Sequence, residues 1–279
     1  MRRVAELAFI LLLIVGIADE HTRRLERAAE RQILAQLGGT GTVHVQIEPQ
    51  WGALGVLLAR AKNIRVEAEG FHTAQLPFFT EPPVHAWQGK AGQVQILFRD
   101  FSVAGVPIRR FEADLLNVAL DSRAAAFHLR VRLFHAGWGA GRVELDEEGL
   151  SAFVRRRLPE VQSPTVRIEP SGVQIEGELS ALLVPWRFWA SGRVQVSADG
   201  LRLLLTGVQL QLEGESLPAG LTQKVLSALN PVLDVARDLG LGSAFRIEKA
   251  ELRSGFIRLT GRATVPPRET GGVNGDRKR

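Results

Sequence analysis

The chain has no cysteine, no tyrosine and a single methionine in 279 residues. Without thiols there is no disulfide scaffold, no cysteine-ligated zinc or iron–sulfur centre and no cysteine nucleophile. Without phenols there is no tyrosine-based chemistry. The redox compartment stays open, because exported proteins also lack cysteine. Six histidines, at positions 21, 44, 72, 85, 128 and 135, are scattered, and none forms a metal-ligand pair on a helix. No GxSxG elbow, HExxH helix, P-loop or Rossmann fingerprint is present. No metal, cofactor or catalytic residue is therefore expected. Gly137-Trp-Gly-Ala-Gly141 is glycine-rich but lies between strand patterns, so it reads as a hairpin turn. The densest acidic cluster, Asp146-Glu147-Glu148, stands where a helix begins, and the helix dipole accounts for it. Carboxylates that meet only in space, as in glycoside hydrolases, leave a glycan-acting enzyme as a minor alternative.

What is present is apolar and basic. Hydrophobic residues make up 45% and charged residues 23%, which excludes a wholly disordered chain. The formal charge of +5 divides into +1 for residues 1–18, 0 for 19–37, +2 for 266–279 and +2 for the rest. Arginines alternate with apolar residues along strands instead of concentrating on one face, so no nucleic-acid partner is expected.

Arg2 and Arg3 precede an apolar run from Leu7 to Ala18. Twelve residues are short of the ~20 a bilayer span needs, and the run fits a signal-peptide core. Gly16-Ile17-Ala18 offers a cleavage site; the rival is an uncleaved anchor continuing into the next helix. Either way the domain faces the extracytoplasmic, periplasmic side of the cell membrane. Residues 19–37 read as an amphipathic helix through Leu25, Ala28, Ala29, Ile33, Ala35 and Leu37, stopped by Gly38-Gly39.

From Thr42 onward the dominant period is two. Val43, Val45 and Ile47, then Ile64, Val66 and Ala68, then Val94, Ile96 and Phe98 alternate with polar residues. Phe127, Leu129, Val131 and Leu133 do the same. The pattern predicts antiparallel sheet with one apolar and one wet face. Asp199-Gly200 predicts a two-residue primed turn pairing Val196 with Leu203 and Val194 with Leu205. Two strands change phase, at Thr206-Gly207 and at Leu115-Leu116, which predicts β-bulges and a curved sheet; separate short strands are the alternative. Two later helices are expected. One spans 146–158, with Asp146 as N-cap and Pro159 as stop; the other spans 217–239, kinked or divided at Pro231. Val45-Gln-Ile-Glu-Pro49 matches Val166-Arg-Ile-Glu-Pro170, suggesting one domain over 19–265 made of two related halves, about 19–145 and 146–265. Residues 71–92 are irregular, and the basic tail 266–279 should be disordered.

Pro185-Trp186-Arg187-Phe188-Trp189 is the most unusual segment. As a strand it carries aromatics on both faces, so it is either a core strand or the wall of a ligand site with Trp189 at an interface. The charged N-terminal helix, the two Val-x-Ile-Glu-Pro strands, the Asp146-Glu-Glu-Gly-Leu-Ser-Ala-Phe153 helix, Leu217-Pro218, Asn230-Pro231 and the closing Ile257-Arg-Leu-Thr-Gly261 resemble the LmeA-type bacterial phospholipid-binding proteins over residues 19–265. The short apolar start and the 71–92 stretch depart from that pattern. The resemblance implies an α+β fold of the elongated tubular lipid-binding, BPI-like kind: long curved antiparallel sheet wrapped around one or two long helices. It implies phospholipid binding outside the cytoplasmic membrane in cell-envelope lipid or lipoglycan maintenance, and no catalytic residues. The alternative is an envelope interaction module with a closed core.

The physics accommodates a lipid. About 30 methylenes at roughly 0.8 kcal/mol each cost on the order of 25 kcal/mol in water, whereas an apolar groove makes exchange with a bilayer nearly neutral. The expected groove residues are Trp186, Phe188, Val194, Val196, Leu203, Leu205, Phe127, Leu129, Val131, Leu221, Val225 and Leu229. Phe78, Phe79, Trp87 and Trp189 are the expected membrane-interface residues. Rim arginines would grip the headgroup phosphate.

Overall fold

A computed structural model describes residues 20–51, 55, 60–74, 76, 88–121, 124, 133–181, 184–213, 223, 227 and 229–264. Helix α1 covers residues 20–36. Its buried stripe is Leu25, Ala29, Ile33 and Leu37, one residue per turn, while Ala35 is exposed. Gly38 and Gly39 end it at φ of +95° and +76°, where a side chain would be strained. Strands follow: β1 (Thr42–Pro49), β2 (Arg60–Glu69), β3 (His72–Thr73), β4 (Gln88–Val103), β5 (Val106–Asp121), β6 (Leu133–His135) and β7 (Trp138–Asp146). Then come helix α2 (Glu147–Arg157), β8 (Val161–Glu169), β9 (Gly172–Ala181), β10 (Val184–Val196), β11 (Arg202–Leu212), β12 (Leu233–Asp234), α3 (Val235–Leu239), β13 (Phe245–Arg253) and β14 (Phe256–Ala263).

The strands form two sheets. The larger has nine strands, ordered β1-β2-β4-β5-β7-β14-β13, with β3 beside β4 and β6 beside β5. The smaller is β12-β11-β10-β9-β8. The architecture is a β-rich, curled antiparallel half-barrel with few helices. Strand β13 packs against β8 and β10, and Ile247 N–H donates to Gly200 C=O, so the sheets meet there. One apolar cluster takes residues from both sheets and from α1, α2 and α3.

The expectation of purely antiparallel pairing needs one correction. β2 runs parallel to β4, from Arg60 opposite Lys90 to Glu69 opposite Arg99, and β3 is also parallel to β4. Alternation specifies a face, not a direction, so nothing in the pattern distinguishes the two.

The β4–β5 hairpin keeps one register over sixteen-residue strands yet changes phase twice. Gly92 faces Asn117 and Asp100 faces Arg109 outside the ladder, with Asn117 and Asp100 at φ of +53° and +47°. Inward residues therefore pass from Val118 to Leu115, and from Phe111 to Ile108, without loss of burial. The slip at Leu115-Leu116 is thus a step taken on both strands, not the one-sided bulge its pattern suggests. Phe98 and Phe111 stack here at 5.8 Å, and Phe71 stacks on Phe101 at 4.8 Å. In β11 the slip is a true bulge. Ser191 opposes Gln209 and Arg193 opposes Thr206, leaving Gly207 in the left-handed region at +62°.

Helix α2 starts where expected. Asp146 accepts from Gly149 N–H at 2.8 Å, and Leu150, Phe153, Val154 and Leu158 are buried. The second expected helix is divided at Pro231, one of the two outcomes the proline predicts. Residues 223, 227 and 229 are helical, but the chain leaves the helix at the cis Asn230-Pro231 bond, forms β12 on β11, and restarts as α3 with Asp234 as N-cap. Proline has no N–H to continue the ladder, and Asn230 instead bonds Leu205 through both amide atoms.

The repeated strand has a counterpart in hydrogen bonds. Strands β1 and β8 each end a sheet. On β1, Val45 N–H donates to Glu30 and Ile47 N–H to Glu26, at 3.0 and 2.8 Å. On β8, Val166 N–H donates to Ser151 and Ile168 N–H to Glu147, also at 3.0 and 2.8 Å. Both pairs of bonds span 15 and 21 residues. Each helix thus caps the open edge of a strand that would otherwise recruit another chain. Glu26→Ala/Glu30→Ala is expected to cost about 2–4 kcal/mol and Glu147→Ala/Ser151→Ala slightly less, since a hydroxyl replaces one carboxylate. Urea unfolding measures both, and gel filtration should show concentration-dependent association. A loss below about 0.5 kcal/mol would mean that water serves these edges equally well.

Candidate functional site

The β10–β11 hairpin builds the inner face of the smaller sheet. Val196 opposes Leu203 and Val194 opposes Leu205, the expected register. The closure differs. Only Gly200 has positive φ, +70°, and its N–H donates to Ser197 C=O, so a four-residue loop replaces the primed two-residue turn. Asp199 accepts from the Ser197 hydroxyl, Leu201 N–H and Arg202. The hydroxyl first, then the backbone N–H and the guanidinium, hold its carboxyl at about 2, below its ordinary value of 3.8. A depressed carboxylate stabilises the fold above its ordinary value, and that contribution is lost as pH falls through about 2.

Phe188, Leu203, Leu205 and Leu229 are almost wholly enclosed by protein atoms. They are the floor of this face. Val194, Val196, Val208 and Leu210 pack on that floor and remain half-buried. An apolar strip on β10 and β11 is thus only partly covered. Trp186 lies in β10 opposite Leu179. Trp189 belongs to the outer face, 38% exposed between Glu176 and Gln211. Phe127, Leu129, Val131, Leu221, Val225, Phe78, Phe79 and Trp87 lie outside the described residues, as do the apolar run 7–18 and the tail 266–279.

The outer face of the same sheet carries a polar cleft of about 490 Å³ at the bulge, lined by Gln174, Ser191, Arg193, Thr206 and Gln209 among others. It is across the sheet from the apolar strip. Among arginines near the hairpin, Arg187 pairs with Glu178 and Arg202 with Asp199, whereas no acidic residue lines the cleft around Arg193.

The buried carboxylates each have structural partners. Asp121 accepts from Ala124 N–H, and Glu144 pairs with Arg258 at 2.8 Å. Asp238, 1% exposed, receives Arg156, Arg157 and Arg237, each at 3.1 Å, and Asp234 N–H. No pattern in the sequence marks that cluster, because its members come from two distant helices. Among the described residues no three histidines or carboxylates are placed to hold a metal ion, and no helix is long and apolar enough to cross a membrane.

Gly137-Trp-Gly-Ala-Gly141 is corrected from a hairpin turn to the start of β7. Gly141 faces the buried Phe245 ring, which would stand 2.6 Å from an added Cβ. The glycines are there for close packing of strands and ring. The signal was available, since Gly139 and Gly141 recur at period two.

No curated protein and no solved structure matches the chain significantly. A family model described as LmeA-like phospholipid-binding matches residues 76–262, more than half of the chain, and takes in β4–β5, the α2–β8 unit, the β10–β11 hairpin and most of β14. The chain belongs to the LmeA-like phospholipid-binding family.

Proposed function

We propose that this protein is exported, stays associated with the membrane, and holds the acyl chains of a phospholipid against the half-covered apolar strip of β10 and β11, in maintenance or transport of cell-envelope lipid. Residues 1–18 deliver it to the extracytoplasmic side as signal peptide or anchor. Acyl chains complete the space above the floor formed by Phe188, Leu203, Leu205 and Leu229. The observation that carries the reading is the strip itself, in a member of a phospholipid-binding family: Val194, Val196, Val208 and Leu210 sit on a sealed floor without being sealed themselves. A free apolar strip in water is unfavourable by roughly 25 cal/mol per Å², and an acyl chain removes that penalty without requiring a polar motif. The full enclosure of Phe188 and Leu203 favours a second reading, an interaction module with a closed core.

Native mass spectrometry of the purified protein decides between them. A phospholipid-sized adduct is expected, and Val194→Glu/Val208→Glu should abolish it while leaving the circular dichroism spectrum intact. A wild-type protein that stays at its bare mass after incubation with phospholipid vesicles would overturn the lipid reading.

A further inference from the structure

The outward face of the larger sheet carries a second feature that lipid holding does not use. Gly89 and Ala91 are buried, so Lys90 between them points outward, and it is exposed. Arg60 is its partner on β2 and is also exposed. Across β4 and β5, Lys90 opposes Ala119, which opposes the exposed His135. Arg60, Lys90 and His135 thus form a row across four adjacent strands, about 14 Å long at ~4.8 Å per strand. An exposed tryptophan flanks each end of the row. Trp51, 61% exposed, lies under the Arg60 guanidinium at 5.1 Å from the ring centroid. Trp138, 62% exposed, opposes the half-buried, outward Leu116 three residues from His135. Among the described residues, Glu48 on β1 is paired with Lys62, and Asp114 on β5 accepts from Gln93.

We propose that this face docks on an anionic lipid surface, with Trp51 and Trp138 in the headgroup layer and Arg60 and Lys90 over anionic headgroups. Large aromatic side chains exposed to water on a sheet otherwise laced with ion pairs are unfavourable unless an interface receives them. Tryptophan is the residue that bilayer interfaces enrich, and cations over phosphate complete the match. The docking surface is distinct from the apolar strip. The inference rests on the lipid-binding reading only for the choice of a membrane as occupant.

Co-sedimentation of the full chain with vesicles tests it. Binding to phosphatidylglycerol–phosphatidylcholine vesicles is expected, with weaker binding to pure phosphatidylcholine and a fall with added salt. Arg60→Gln/Lys90→Gln should lower binding by about 25-fold, roughly fivefold per charge. Trp51→Ala/Trp138→Ala should lower it at least tenfold on both vesicle types. Thermal unfolding should be unchanged in both variants, because the side chains are exposed. Variants that bind like the wild type, or equal binding to neutral and anionic vesicles, would overturn the proposal. Native mass spectrometry of the same samples separates the two readings. Bound phospholipid with no vesicle binding sinks docking alone, and vesicle binding at bare protein mass sinks lipid holding alone.

Discussion

Asp238→Ala is expected to destabilise the protein by about 3–5 kcal/mol, the cost of leaving buried positive charge without its counter-ion. Asp238 is 1% exposed, and Arg157, the best-enclosed of its three partners, has 13% of its side chain exposed. Arg157 also donates to Pro231 C=O and lies over the Phe153 ring at 4.3 Å. Arg156 reaches Ala104 C=O at the tip of the β4–β5 hairpin. One carboxylate therefore ties α2, α3 and the tip of the larger sheet's longest hairpin together. For a domain of this size each kcal/mol moves Tm by roughly 2–4 °C, so a fall on the order of 10 °C should appear in a thermal melt. Asp238→Asn keeps the side-chain shape and one acceptor oxygen but removes the charge and turns the other acceptor into a donor, and should fall between. A hydrophobic pair, Asp238→Leu/Arg157→Met, should recover part of the loss, since packed apolar groups replace buried ion pairs with little net cost. A single Asp238→Ala variant within about 1 kcal/mol of wild type would show that the three guanidiniums find water instead.

Elements whose signal is local were legible in the residues. Asp146 could be read as a cap because aspartate before an apolar period has one favoured role there, and its carboxylate does bond Gly149 N–H. The β10–β11 register followed from making every cross-strand pair apolar, and the Thr206-Gly207 slip from alternation that changed parity. The Val-x-Ile-Glu-Pro repeat pointed to strands at equivalent positions. Its meaning was not visible, because of the residues that match it in space only Glu26 and Glu147 are alike, while Glu30 is matched by Ser151. Hydrogen-bond acceptance is preserved at that second pair while residue identity is not.

Non-local choices left no trace in a one-dimensional pattern. The parallel β2–β4 pairing has the same alternation that an antiparallel pairing would have. Asp238 is one acid among thirty until α2 and α3 are placed together. For the candidate site, alternation identified Phe188, Leu203 and Leu205 as inward, and burial agrees. Alternation cannot tell a floor from a wall, because it reports which way a side chain points and not what lies above it. Trp189 shows the same limit from the other side: its outward parity was readable, its place between Glu176 and Gln211 was not.

Gly261→Ala should be the most damaging single methyl group that can be added to this protein's sheets. Gly261 opposes Ile247 beside the irregularity in β13, and an added Cβ would lie 1.9 Å from Arg246 O and 3.0 Å from Ile247 Cα. No rotamer relieves a contact with backbone, so β13 itself must move. β13 is the strand that meets β8 and β10 and takes the Ile247-to-Gly200 hydrogen bond, so its displacement opens the joint between the sheets. The expected loss is about 3 kcal/mol or more, beyond the usual range for a point substitution. Gly137→Ala is the control, since its Cβ would meet nothing nearer than 3.4 Å, and it should stay within about 1 kcal/mol of wild type. Urea midpoints measure both. Equal midpoints for the two variants would mean that β13 yields without cost, and the two sheets would then be joined through α2 instead of through this strand.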